Sequence, residues 1–177
     1  MNKLTLFAYP FRIFFLSLAI WAIAVIALWI ASVTQLTPLQ FALPALRWHQ
    51  HEMLFAILNP AIAGFLLTAV CNWTNTERLH GLPLIVLWLV WAIGRLATAL
   101  PMLPEAAMIA INLLFLPLVM IDAGRRVISA RQPRHAPILL VLLLLWTAQA
   151  TFLLQWSEHA IAMALVAASA LMLIVGG

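Results

Sequence analysis

From Ile13 to Val33 the chain runs for 21 residues without a single charge. A helix rises 1.5 Å per residue, so a run of about 20 apolar residues crosses the ~30 Å hydrocarbon core of a bilayer. The apolar core of a secretory leader is only about 7–15 residues, and the stretch therefore reads as a span. Charges, prolines and polar clusters delimit five further runs, at about 52–71, 82–100, 105–122, 136–154 and 159–175. Lipid offers no partner for backbone N–H and C=O groups, so such runs must satisfy them internally as helices. The predicted fold is all-α: one transmembrane domain over residues 1–177, a bundle of about six helices. Composition agrees, with 66% hydrophobic residues, 8% charged and a mean hydropathy of +1.10. A soluble domain carries about 25% charged residues. The lipid bilayer is the partner this surface requires.

A net charge of +4 raises the question of nucleic acid. The basic residues answer it by their placement. Lys3, Arg12, Arg78, Arg125, Arg126, Arg131 and Arg134 all fall in loops on one side of the bundle, whereas Arg47 alone falls on the other. Lys and Arg collect on the cytoplasmic side of membrane proteins, which puts the N-terminus inside. No aromatic residues interleave with these charges, and nucleic acid is not an expected partner. Asp122 stands at helical spacing from Arg125 and Arg126, an anchor at the inner interface. Trp48, Trp73 and Trp156 fall at span ends, as an aromatic belt requires. The single cysteine, Cys71, excludes an intrachain disulfide and a thiolate zinc site. The sequence stops at Gly176-Gly177 directly after an apolar run. That ending predicts a first half, to be completed by a C-terminal half or by a second copy of the chain.

Depth along each run shows where the costly residues lie. Helix two runs inward, so His49, His51 and Glu52 occupy its outer end, with Glu52 roughly 14 Å above the midplane. Helix three runs outward and brings Arg95 to roughly 6 Å above the midplane. Glu105, Glu158 and His159 open their helices near the same level, and Gln149 falls in the outer half of helix five. An ionisable group within a span costs about 2.5–3.5 kcal/mol at the centre and usually serves a function. Polar groups from five helices, gathered in one leaflet, predict a site there.

Each residue also has a plainer use. Arg95 can snorkel or pair with Glu52 or Glu105, or it can hold an anionic group such as a haem propionate. Glu105 suits a helix N-terminus, and His159 beside Glu158 can be an interfacial cap. The segment Trp48-His49-Gln50-His51-Glu52-Met53 is more specific, since it holds two of the five histidines. If it is helical, His49 aligns with Glu52 and Met53 while His51 points about 200° away, so the two imidazoles face different centres, or one ligates and the other supports a ligand from behind. If it is an extended turn, both converge. Imidazole suits haem iron and copper, and a bundle core is a common place for either. Asn59-Pro60, near the middle of helix two, predicts a bend, or a broken helix of the kind that marks transporter sites.

Tyr9-Pro10-Phe11-Arg12-Ile13-Phe14-Phe15, Trp48-His49-Gln50-His51-Glu52-Met53-Leu54-Phe55, Gly64-Phe65-Leu66-Leu67-Thr68-Ala69-Val70 with Asn72-Trp73-Thr74, and Gly94-Arg95 follow one another along the first hundred residues. Together they resemble the NnrS family of bacterial membrane proteins, most sharply over residues 9–100. Two positions depart from the family pattern as expected: Cys71 stands where proline is usual, and Asn59-Pro60 replaces a small-residue stretch. The resemblance implies a multi-pass protein of the cytoplasmic (inner) membrane, associated with haem and copper and with nitric oxide metabolism or resistance to nitrosative stress. Family members are about twice this long, which accords with the abrupt ending. His49, His51 and Glu52 match the motif and become candidate cofactor ligands, the two histidines as metal ligands. Arg95 matches without an assigned role, and His159 is added on depth alone. Half of a transporter with a site in the outer leaflet is the alternative function, and an assembly subunit a third.

Overall fold

The computed structural model describes residues 5–36, 38–132 and 135–176. Lys3, Pro133 and Arg134 lie outside them. Six helices follow a short 3₁₀ turn at Thr5–Ala8: α1 Pro10–Val33, α2 Ala45–Thr74, α3 Leu82–Ala99, α4 Glu105–Ser129, α5 Ala136–Leu153 and α6 Ala160–Gly176. No strand occurs among the described residues. The first five are long and apolar enough to cross a membrane, and α6 is a shorter apolar helix of 17 residues. The chain is thus a multi-pass membrane helix bundle. Its exposed side chains agree, since Ile20, Ile23, Ile26, Ile30 and Val33 of α1 all face outward, as they do toward lipid.

α2 differs most from its expected bounds. It begins at Ala45 rather than Glu52, because the amide of Trp48 bonds the carbonyl of Pro44 at 2.8 Å and starts the helix before the histidines. A single π-helical turn, Glu52–Ala56, follows, and the helix then continues through Asn59-Pro60 to Thr74 without a break. A proline removes one backbone donor and frees the carbonyl four residues earlier. For Pro60 that carbonyl belongs to Ala56, and the Trp91 indole donates to it at 3.1 Å. α4 repeats the arrangement. Pro117 frees the carbonyl of Leu113, to which the Trp146 indole donates at 2.9 Å. In a solvent without hydrogen-bond donors, each proline is tolerated because a neighbouring helix supplies one.

α2 is also the central helix, packed on α1 and α4, with its π turn reaching α1 and α3. Gly64 sets its distance to α1. A Cβ there would stand 3.1 Å from both Phe14 Cβ and the Phe15 ring, so a larger residue would push the helices apart. α4 runs to Ser129, past the expected end at Asp122, and carries Arg126 within hydrogen-bond reach of that carboxylate, Nε to Oδ2 at 2.7 Å. Trp156 is exposed after α5 and Trp73 is half-buried near the other end. Trp48 is wholly buried instead, stacked on Phe41 at a centroid distance of 3.9 Å. The expected start of the last helix moves from 158–159 to Ala160, since Ser157, Glu158 and His159 lie in a turn.

Candidate functional site: a buried carboxylate hub

Five helices contribute to one buried polar cluster. Its centre is Glu52, wholly enclosed on the first residue of the π turn. Oε1 accepts from Thr98 Oγ1 at 2.9 Å and meets His51 Nδ1 at 2.8 Å. Oε2 accepts from Arg95 Nη1 at 2.7 Å and from the Trp21 indole at 2.8 Å. Four donors fill the four lone-pair directions of the carboxylate. The widened turn belongs to the geometry, because a π turn shifts the helical phase and is common where side chains must be re-aimed.

The network then closes on itself. Arg95 Nη2 donates to Asn112 Oδ1 at 2.5 Å, and Asn112 Nδ2 donates to the Met108 carbonyl at 2.9 Å. The Gln149 amide nitrogen stands 3.4 Å from the Asn112 carbonyl and 3.3 Å from His51 Nε2. Gln149 Oε1 accepts from Asn59 Nδ2 at 2.9 Å. Gly94 makes room for Asn112, whose Oδ1 would stand 3.2 Å from a Cβ at that position. With Nδ1 facing the carboxylate and Nε2 facing an amide NH₂, the neutral imidazole of His51 carries its proton on Nδ1 and its lone pair on Nε2. A carboxylate holding one ring nitrogen is the arrangement that orients histidine ligands toward a metal through the other.

The sequence candidates separate here. His51, Glu52 and Arg95 come together, with Arg95 paired to Glu52 and not to Glu105. Its guanidinium is occupied inside the bundle, so gripping an external anion would mean giving up Glu52 or Asn112. His49 leaves α2 on the other side, stacked on Trp29 at 4.0 Å between ring centroids, with Nδ1 buried and without a hydrogen-bond partner. His159 is not brought to the cluster. It is exposed in the turn before α6, where its amide bonds Ser157 Oγ at 3.1 Å. Asn59, Thr98, Asn112 and Trp21 were not anticipated. The available signals were a lone amide in the apolar run of α4 and a tryptophan at mid-span in α1.

The donor set limits what the cluster can hold. Among the described residues no three His, Cys, Asp or Glu side chains group as a metal site. The imidazole lone pair of His51 Nε2, which meets only the Gln149 amide at 3.3 Å, is the one position in the cluster suited to a small metal ion. A macrocycle does not fit against His51, since the ring is wholly enclosed and leans on Phe55 and Phe152 at 5.6 and 6.0 Å. An ion held by both histidines does not fit either, because they point to opposite sides of α2.

A family model described as NnrS protein matches residues 5–177. No curated protein and no solved structure matches the chain.

Proposed function

The chain belongs to the NnrS family, and from that premise we propose that it is a haem- and copper-binding protein of the bacterial inner membrane, acting in nitric oxide metabolism or resistance to nitrosative stress. The observation that carries this reading is the His51–Glu52 pair: an imidazole fixed by a saturated carboxylate, with its Nε2 turned to nothing stronger than an amide. His51 would hold copper through Nε2, the atom that now meets the Gln149 amide. Glu52 fixes the tautomer and stays out of direct ligation, because all four of its acceptor positions are taken. Arg95 and Asn112 hold Glu52 in place. His49, partly exposed and stacked on Trp29 of α1, is the imidazole left for a haem, whose remaining contacts would come from outside the described residues. Bound copper or haem iron would supply redox chemistry and affinity for nitric oxide.

The test is an optical spectrum and metal analysis of the detergent-purified chain, with and without dithionite and nitric oxide, repeated on His49→Ala and His51→Ala. The expected result is a Soret band that shifts on reduction and on nitric oxide, with copper alongside. His51→Ala loses copper and keeps the haem band, whereas His49→Ala loses the band and keeps copper. A folded wild-type chain that is colourless and metal-free sinks the cofactor reading. Cofactor content unchanged in both variants and in their double sinks the ligand assignment alone.

A further inference from the structure

The end of the bundle opposite the carboxylate hub carries a second site, of different chemistry. A cavity of about 670 Å³ opens between the start of α1, the end of α2 and the loop that follows, lined by Tyr9, Thr68, Asn72 and Arg78 among others. Two guanidinium groups converge on its rim. Arg12 and Arg78 both lie over the ring of Tyr9, the only tyrosine in the chain, at 4.6 and 4.2 Å from its centre. The one acid in the lining, Glu77, is 84% exposed and faces His80 at 3.8 Å. Behind the lining, Arg126 bonds Thr76 Oγ1 at 3.2 Å and the Glu77 carbonyl, with Asp122 as its own partner. α1 starts at the rim without a side-chain cap, so its positive end adds to the field. A guanidinium, the Asn72 amide and a helix N-terminus in one recess suit a phosphate.

A second cavity, of about 370 Å³, is almost wholly apolar and includes Phe15, Leu58, Ala61, Phe65 and Met172 in its lining. The two are not independent. Asn72, Thr68, Phe65, Ala61 and Leu58 recur at intervals of four, three, four and three along α2, which is one face of a helix. The polar recess and the apolar groove thus follow each other down the same side of α2, beside α1. From Thr68 to Leu58 the helix rises about 15 Å, half of the ~30 Å hydrocarbon core. A charged head at one end and one leaflet's depth of apolar groove below it describe a phospholipid. A free anion would leave the groove unexplained, and a peptide would leave the match to leaflet depth unexplained.

We propose that this seam is a specific binding site for an anionic phospholipid of the leaflet at the basic end of the bundle, its phosphate held by Arg78 beside Tyr9 and an acyl chain lying along Phe65, Ala61 and Leu58. Basic pockets between helices on the cytoplasmic side are where such headgroups bind. Native mass spectrometry and thermal unfolding of the full chain test it, first as purified, then after delipidation and addition of phosphatidylglycerol, phosphatidylcholine or inorganic phosphate. Phosphatidylglycerol adducts should survive purification, and added phosphatidylglycerol should raise the melting temperature more than phosphatidylcholine does. Arg78→Gln, at an exposed position, should weaken phosphatidylglycerol about fivefold and leave phosphatidylcholine unchanged. Ala61→Phe, which fills the groove, should reduce adducts of both lipids. Equal stabilisation by the two lipids overturns the proposal. So does an effect of inorganic phosphate equal to that of phosphatidylglycerol, which would make the recess a site for free anions. Adducts insensitive to both substitutions would place the lipid elsewhere and overturn it as well.

Discussion

At the scale of single residues, Glu52 and Arg95 are unequal partners. Removing one member of a buried ion pair costs about 3–5 kcal/mol, because the other is left charged without compensation. Arg95→Met leaves the carboxylate with three donors, from Trp21, Thr98 and His51. Glu52→Met leaves a guanidinium and all three of those donors without their acceptor. Glu52→Met is therefore expected to destabilise more than Arg95→Met, and the double variant less than the sum of the two. Denaturant unfolding of the four proteins in one detergent checks this; equal single costs that simply add would show that no hub exists. The sequence carried part of this arrangement. The 100° step of a helix sets His49 and His51 on opposite sides once the segment is helical, one of two outcomes open in the sequence, and depth alone put Glu52, Arg95 and Gln149 in the outer half. Which of these groups touch depends on how each helix is rotated about its axis. Apolar runs encode that weakly, since every face of a lipid-embedded helix is apolar. Asn112, Asn59 and Trp21 were hidden for that reason, and His159 was drawn in by depth although a turn holds it in the open.

At the scale of helices, the two prolines and their tryptophans make a device that can be tested by exchange. Trp91→Phe keeps the apolar bulk but leaves the Ala56 carbonyl without its indole donor. An orphaned buried carbonyl costs about 1–3 kcal/mol. Replacing Pro60 by alanine restores a backbone N–H that can serve the same carbonyl. Trp91→Phe is then expected to cost clearly less in a Pro60→Ala background than in the native one, read as the shift in melting temperature. The same cost in both backgrounds would mean that the tryptophan acts through packing alone. Pro60 itself was legible as an irregularity, and two outcomes were open, a bend or a break. The continuous helix follows from Trp91, which lies in a different run, so no reading of α2 in isolation could have chosen between them. The early start at Ala45 was missed for a related reason. Arg47, His49 and Gln50 look like loop in a hydropathy profile, yet Arg47 donates to the Phe152 carbonyl at 2.6 Å and the helix carries these groups against its neighbours.

At the scale of the whole molecule, the two ends of the bundle differ in charge, and the difference assigns a direction. Among the described residues Arg12, Arg78, Arg125, Arg126 and Arg131 lie at the end where α1 begins and α2 finishes, whereas Arg47 lies at the other. The cytoplasmic preference of Lys and Arg predicts that the first end faces inward, with the carboxylate hub in the outer half. Which leaflet supplies the proposed lipid follows from this direction. A native chain with one buried cysteine makes it measurable, since a Cys71→Ala background carries no other thiol. Glu77 is 84% exposed at the basic end and Trp156 is 74% exposed at the other. In intact cells a membrane-impermeant maleimide should label Trp156→Cys at once, and Glu77→Cys only after the membrane is permeabilised. The reverse pattern would turn the bundle over and place the hub in the inner half. Labelling of both from outside would mean that an odd number of crossings does not separate α2's end from α5's, contradicting the three passes of α3, α4 and α5 between them.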